Sequence, residues 1–146
     1  MTAVVADRGR AVLANVLRDR VSSTWPAEGR ISAIWVRTHS GRQVHVRVST
    51  RTSGDWQSSK KWRDAGARRD PARLWAFVTV TADGQLADPG PLLAYEADAM
   101  RAIDDEVQEW FERNGHADPA VKDSGHCAIT VKRVRTFARD LAGLLT

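Results

Sequence analysis

The sequence predicts an α/β protein, a mixed β-sheet flanked by helices in the order α-β-β-α-β-β-α-β-α. Three stretches carry that expectation. LWAFVTVT, at 74–81, is a nearly continuous apolar run, the mark of a central strand covered on both faces. Residues 97–113 set Met100, Ile103, Val107, Trp110 and Phe111 at helical spacing. Between Ile31 and Thr50, two strand-like runs flank His39-Ser40-Gly41 in the form of a hairpin.

In chain order, Ala11 to Val21 puts Val12, Leu13, Val16, Leu17 and Val21 on one helical face, and Pro26 and Gly29 close that element. Trp25, just before Pro26, is expected to cap this helix. The hairpin strands run from Ile31 to Arg37 and from Arg42 to Thr50. In the second, Val44, Val46 and Val48 alternate with His45, Arg47 and Ser49, so a polar set shares one face. Residues 51–56 read as a polar loop. Ser58 or Ser59 is placed to cap a short helix reaching about Ala65, where Gly66 weakens it. The apolar strand follows, then an Asp83-Gly84 turn, a short strand from Pro91 to Tyr95, and the long helix, stopped by Asn114-Gly115. A strand from His126 to Val131 precedes a final helix carrying Val134, Phe137, Leu141, Leu144 and Leu145. Trp35, Trp75 and Trp110 read as core.

With 146 residues, the chain is expected to form one domain, 1–146. Its 42% hydrophobic and 27% charged content is that of a water-soluble globular protein. No apolar run approaches the roughly 18 residues of a membrane span, so no membrane partner is expected. The opening MTAVVADRGRAVL lacks the basic, apolar and small-residue regions of a signal peptide. The one cysteine, Cys127, reads as a small buried residue, and the expected compartment is a reducing cytoplasm. No histidine pair has metal-ligand spacing with Cys127, so no zinc site is expected.

The net charge of +4 conceals a division. From Arg30 to Arg73 there are eleven Lys/Arg against three Asp/Glu; from Leu74 to Ala120 there are two Arg against ten Asp/Glu. A basic half and a pI near 9.8 favour polyanionic partners, unless the two halves attract each other across the fold.

Val46-Arg47-Val48-Ser49-Thr50, followed by Gly54-Asp55-Trp56-Gln57-Ser58-Ser59, resembles the PD-(D/E)XK, or restriction-endonuclease-like, nucleases. In particular it is similar to small bacterial members with a strand reading roughly Ile-Gln-Val-Lys-Thr and a following Gly-x-Trp-x-x-Ser. Asp123-Ser124-Gly125-His126, leading to a helix ending Leu144-Leu145, extends the likeness over most of the chain. The resemblance implies a sheet flanked by helices and a divalent metal held by carboxylates, which polarises a scissile phosphate and generates hydroxide. It also implies a lysine two residues along the same strand face.

This chain departs at each implied position. The first-strand carboxylate falls at Ser32, or Ala33 if the turn differs by one; the second falls at Arg47, the lysine at Ser49, and the first-helix glutamate at Arg10. A guanidinium has no lone pair to give a metal. At about 4 Å and an effective dielectric near 20, each like charge repels by roughly 4 kcal/mol. No metal is therefore expected, and Mg²⁺ enters only if Glu28 and Asp55 serve as relocated acids, with Lys60 or Lys61 swinging back.

The expected function is that of a nuclease-fold protein with an inactive metal site, acting as a nucleic-acid-binding or accessory interaction module. Arg42, Arg47, Arg51, Lys60, Lys61 and Arg63 suit phosphate, and Trp56 suits base stacking or the core edge. Two alternatives stay open: a working metal-dependent DNA endonuclease, and a protein-binding partner in a defence or mobile-element system. Asp98, Asp104, Asp105, Glu106, Glu109 and Glu112 give the long helix an acidic surface suited to a solvated face, a homodimer contact or DNA mimicry. His126 matches the resemblance without an assigned role.

Overall fold

The computed structural model describes residues 3–29, 31–59, 70–113 and 126–146. Helix α1 (Ala3–Leu17) precedes strands β1 (Ser23–Pro26), β2 (Ala33–Arg37), β3 (Gln43–Arg51), β4 (Trp56–Ser59), β5 (Leu74–Val80) and β6 (Leu86–Tyr95). Helix α2 (Glu96–Arg113), strand β7 (His126–Ile129) and helices α3 (Val131–Phe137) and α4 (Leu141–Leu144) follow. Five strands form a mixed sheet in the order β1-β2-β3-β5-β6, while β4 and β7 pair separately. The β3–β5 pairing is parallel and the others in the large sheet are antiparallel. The α/β class and the flanking helices match the expectation. No helix among the described residues is long and apolar enough to cross a membrane.

Strand β5 shows how the pattern builds two cores. All seven residues are buried. Leu74, Ala76, Val78 and Val80 join Leu13 and Leu17 of α1 with Val44, Val46 and Val48 of β3. Trp75 and Phe77 point the other way, joining Ala99, Met100 and Ile103 of α2 and Val134 of α3. Period-two alternation on a doubly covered strand produces this division. Helix α1 sits close to β3 because Gly9 has no side chain: a Cβ there would lie 2.8 Å from Thr50 Cβ.

The elements differ from expectation in several places, and α1 itself begins at Ala3, eight residues before the expected Ala11, and ends at Leu17 instead of Val21. Residues 23–26 form an added edge strand, with Trp25 opposite Trp35, so Trp25 extends the sheet instead of capping α1. Ser58 and Ser59 lie in β4, not at a helix cap; the expected helix body at 60–65 lies outside the described residues. Burial of Trp56 decides this, since a large aromatic contributes about 3 kcal/mol against about 1 kcal/mol for a cap. β6 begins at Leu86, five residues before the expected Pro91; at a sheet edge, the prolines cost few ladder bonds.

The final helix is broken. Ala138 is extended, and Arg139 N–H donates to the Leu93 carbonyl at 2.8 Å. Val134 of α3 packs in the second core, whereas Leu144 and Leu145 pack in the first. One straight helix could not serve both faces, so the chain leaves helix to cross the edge of β6.

Candidate functional site

The polar face of β3 turns inward. Arg47 is only 2% exposed, and its guanidinium lies 3.8 Å from the centroid of the Trp75 ring. Trp75 is held by its own indole N–H, which donates to Ser49 Oγ at 2.9 Å. Alternation puts Arg47 and Ser49 side by side on β3, and Trp75 faces Arg47 in the parallel register. The strand pattern thus builds a stacked cation, not a surface hook.

Glu96, the first residue of α2, completes the cluster. Its carboxylate is 0% exposed, with Oε1 3.7 Å from Arg47 Nη1 and Oε2 3.1 Å from Arg73 Nε. The Glu96 N–H donates to the Arg73 carbonyl at 2.9 Å, so backbone and side chain tie the entry of β5 to the β6–α2 junction. A buried carboxylate between two guanidiniums recovers its desolvation penalty only while both partners stay in place. Burial pushes the Glu96 carboxyl above its ordinary value while Arg73 and Arg47 pull it down. Burial lowers Arg47 to about 10, against the pull of Glu96.

His45 stands half-buried beside this cluster, edge-on to Trp35 at 5.2 Å between centroids. Burial, then the charge of Arg73, lowers its pKa to about 4; Asp70 raises it and Arg47 lowers it further, both less strongly. The folded state therefore disfavours the imidazolium, and stability contributed by neutral His45 is lost as pH falls from 6.5 towards about 4. Allowing for solvent screening at a half-open ring, the loss is on the order of 1–2 kcal/mol. Glu96 acts with the opposite sign, so the difference between native protein and His45→Gln isolates the histidine. Urea unfolding at pH 7 and pH 4.5 should show a smaller stability drop in His45→Gln; equal drops would contradict this.

The expected site residues do not converge. Ser32 Oγ accepts from Arg10 Nη1 at 2.6 Å, on the α1 side, and Arg10 also pairs with Asp7. Ala33, not Ser32, stands opposite Arg47 in the β2–β3 register. Of the positions implied by the nuclease resemblance, Ser32 and Arg10 thus lie on the α1 side of the sheet, whereas Ala33, the alternative first-strand position, shares the other face with Arg47 and Ser49. Arg42 donates through Nη2 to the carbonyls of Leu144 and Thr146, both at 3.0 Å. Arg51 donates to Thr79 Oγ1 at 3.0 Å and to the Gly54 carbonyl, and lies 4.3 Å from the Trp56 ring centroid.

Two expected ligand contacts need correcting. Arg47 is enclosed by Trp75 and Glu96, so it offers no open fork to a phosphate. Trp56 is 1% exposed, with its indole N–H on the Val78 carbonyl at 3.0 Å, so it has no free face for a base. Lys60, Lys61 and Arg63 lie outside the described residues, as do the side chains of His126 and Cys127.

No family model, curated protein or solved structure matches this chain.

The donor set beside Arg47 does not fit a divalent cation, because the carboxylate there already faces two positive groups. Glu28 and Asp55, the acids considered as relocated ligands, are both exposed in the turns before β2 and β4. Among the described residues, no group of three or more His, Cys, Asp or Glu is close enough to hold a metal ion.

Glu96 and Arg73 were not legible as site residues. Each sits at an element boundary, and only the three-strand arrangement brings them to Arg47. A weak signal existed: Glu96 directly follows an apolar strand end, and with Asp98 it lies in the first turn of α2, where the positive helix terminus is at hand. The acidic face of α2 is partly neutralised by neighbours, with Arg133 at 3.5 Å from Glu106 and 3.4 Å from Glu109, and Arg139 at 3.7 Å from Asp98.

Proposed function

We propose that this chain is a nucleic-acid-binding module built on a nuclease-like scaffold that performs no metal-dependent cleavage. The observation carrying this reading is the buried Arg47–Glu96–Arg73 cluster: the strand position where the resemblance implies a metal-binding acid holds a guanidinium paired to a carboxylate. The resemblance of residues 46–59 to restriction-endonuclease-like proteins supports the scaffold, and the basic surplus between Arg30 and Arg73 supports a polyanionic partner.

The roles within that reading change with the geometry. Arg47 and Trp56 hold the fold. Contact with phosphates falls to Lys60, Lys61 and Arg63, with the exposed charge of Arg42 adding to the field. Such contacts are insensitive to sequence and release counterions.

Duplex DNA should bind at low ionic strength and weaken steeply with added salt, without cleavage in Mg²⁺ or Mn²⁺. Replacing Lys60, Lys61 and Arg63 together by Ala should reduce the slope of log affinity against log salt by about 3, near 0.9 for each lost phosphate contact. Fluorescence anisotropy across a salt series measures it. Metal-dependent plasmid cleavage abolished by Glu28→Ala or Asp55→Ala would establish the endonuclease instead. Absence of DNA affinity at low salt would leave a protein partner as the ligand.

A further inference from the structure

We infer that Arg47 and Arg73 form an oxyanion-binding site closed by the chain's own Glu96, whose carboxylate sits where a phosphate or sulfate group would be held. The inference concerns a different place from the basic segment and stands whether or not nucleic acid is bound there.

Three features make the position an anion site and not only an ion pair. The two guanidiniums approach different oxygens of one carboxylate, Arg47 Nη1 at 3.7 Å from Oε1 and Arg73 Nε at 3.1 Å from Oε2. Guanidinium forks suit the several oxygens of a tetrahedral anion as well as they suit a carboxylate. Arg47 is also held in place by more than its acid, since its plane rests 3.8 Å from the Trp75 centroid and Trp75 is fixed by Ser49. That half of the cradle is therefore preorganised independently of Glu96. Finally, Glu96 opens α2, so the anion lies at the positive end of an eighteen-residue helix.

The site is shut from inside and has one partly open side. Glu96 and Arg47 are buried, whereas the Arg73 side chain keeps 20% exposure. Arg73 ends the basic segment, and half-buried His45 stands at the same place. An incoming oxyanion meets Arg73 first and must displace Glu96 from it before reaching Arg47. Glu96 is thus a tethered competitor that keeps the pair silent in the free protein.

The test uses Glu96→Ala, which opens the space and frees both arginines, and Glu96→Gln, which removes the charge but fills the space. Thermal midpoints are read in inorganic phosphate and in chloride at matched ionic strength. Phosphate should raise the midpoint of Glu96→Ala saturably, by roughly 5 °C at ten times its Kd for a chain of this size. Phosphate, as an excluded salt, lifts the midpoint of every variant along a common unsaturable slope. Beyond that slope native protein should respond only at phosphate concentrations well above those that saturate Glu96→Ala, Glu96→Gln should not respond, and adding Arg47→Met to Glu96→Ala should abolish the response. If Glu96→Ala does not fold in chloride, recovery of folded protein on dialysis into phosphate, absent when Arg47→Met is added, gives the same support. A Glu96→Ala response no larger than the common slope, a response of Glu96→Gln matching that of Glu96→Ala, or no recovery in phosphate would overturn the inference.

A DNA arm identifies the source of the oxyanion. Several-fold tighter duplex binding by Glu96→Ala than by native protein, lost again with Arg47→Met, places a strand phosphate in the cradle. Unchanged DNA affinity together with phosphate stabilisation assigns the site to a free anion.

Discussion

Glu96→Ala in chloride buffer is expected to lose about 3–5 kcal/mol of folding stability, a large share of the roughly 5–15 kcal/mol available to a domain. The loss comes from what remains behind. Arg47, 2% exposed, keeps its stacking on Trp75 but no longer has the buried carboxylate that offsets its desolvation. Arg73 keeps partial access to water and suffers less. The contrasting experiment removes the whole cluster. Arg47→Met, Glu96→Leu and Arg73→Met combined should unfold within about 2 kcal/mol of the native protein, because well-packed apolar groups replace buried ions at little net cost. Urea or guanidinium unfolding reads both. A triple variant as unstable as Glu96→Ala would show that the cluster stabilises the fold by more than mutual compensation.

Trp56→Ala should cost about 3–5 kcal/mol, the usual loss for emptying a buried aromatic position. Trp56 is 1% exposed and meets Phe77 edge-on at 5.4 Å between centroids. It joins the two-stranded β4–β7 sheet to the large one, since its partner across that small sheet is buried Ile129. Trp56→Phe keeps most of the apolar contact but deprives the Val78 carbonyl of its indole donor, and should cost about 1–2 kcal/mol. Gln57→Ala, next door and exposed, should stay within about 0.5 kcal/mol. The order Ala, then Phe, then the Gln57 control is the result to check by denaturant unfolding. A Trp56→Ala loss no larger than that of Gln57→Ala would return Trp56 to the surface, where it could stack on bases.

These two expectations also show where sequence pattern and tertiary structure part. Strand β5 was legible because five consecutive apolar residues, Leu74 to Val78, with Val80 beyond Thr79, admit little besides a doubly covered strand. The β2–β3 hairpin was legible from its alternation and its turn. Helix α2 was legible from Met100 and Ile103, both of which are buried. Ser58 and Ser59 misled because capping propensity is local, while the partner strand that claims them, His126–Ile129, lies about seventy residues on. The break at Ala138 was invisible to helical periodicity, since Val134 and Leu144 fit one stripe although they serve opposite faces of the sheet.

The candidate site was legible only in part. Alternation correctly put Arg47 and Ser49 on one face of β3, but nothing in a single strand says whether that face meets water or a second core. The tryptophan across the ladder turned it inward. Glu96 lies within a chain segment rich in acids; its burial, not its residue type, separates it from Asp104 or Glu109. Arg10 and Ser32 did meet, through a hydrogen bond, yet on the side of the sheet opposite Arg47.

The most direct measurement is a Mn²⁺ titration of the folded protein, followed by the paramagnetic signal of free ion and by tryptophan fluorescence. The central claim, a guanidinium–carboxylate–guanidinium cluster in place of a metal centre, predicts no stoichiometric binding at micromolar to millimolar Mn²⁺ and no change in tryptophan emission. One equivalent bound with defined affinity, and lost in Glu96→Gln, would contradict it.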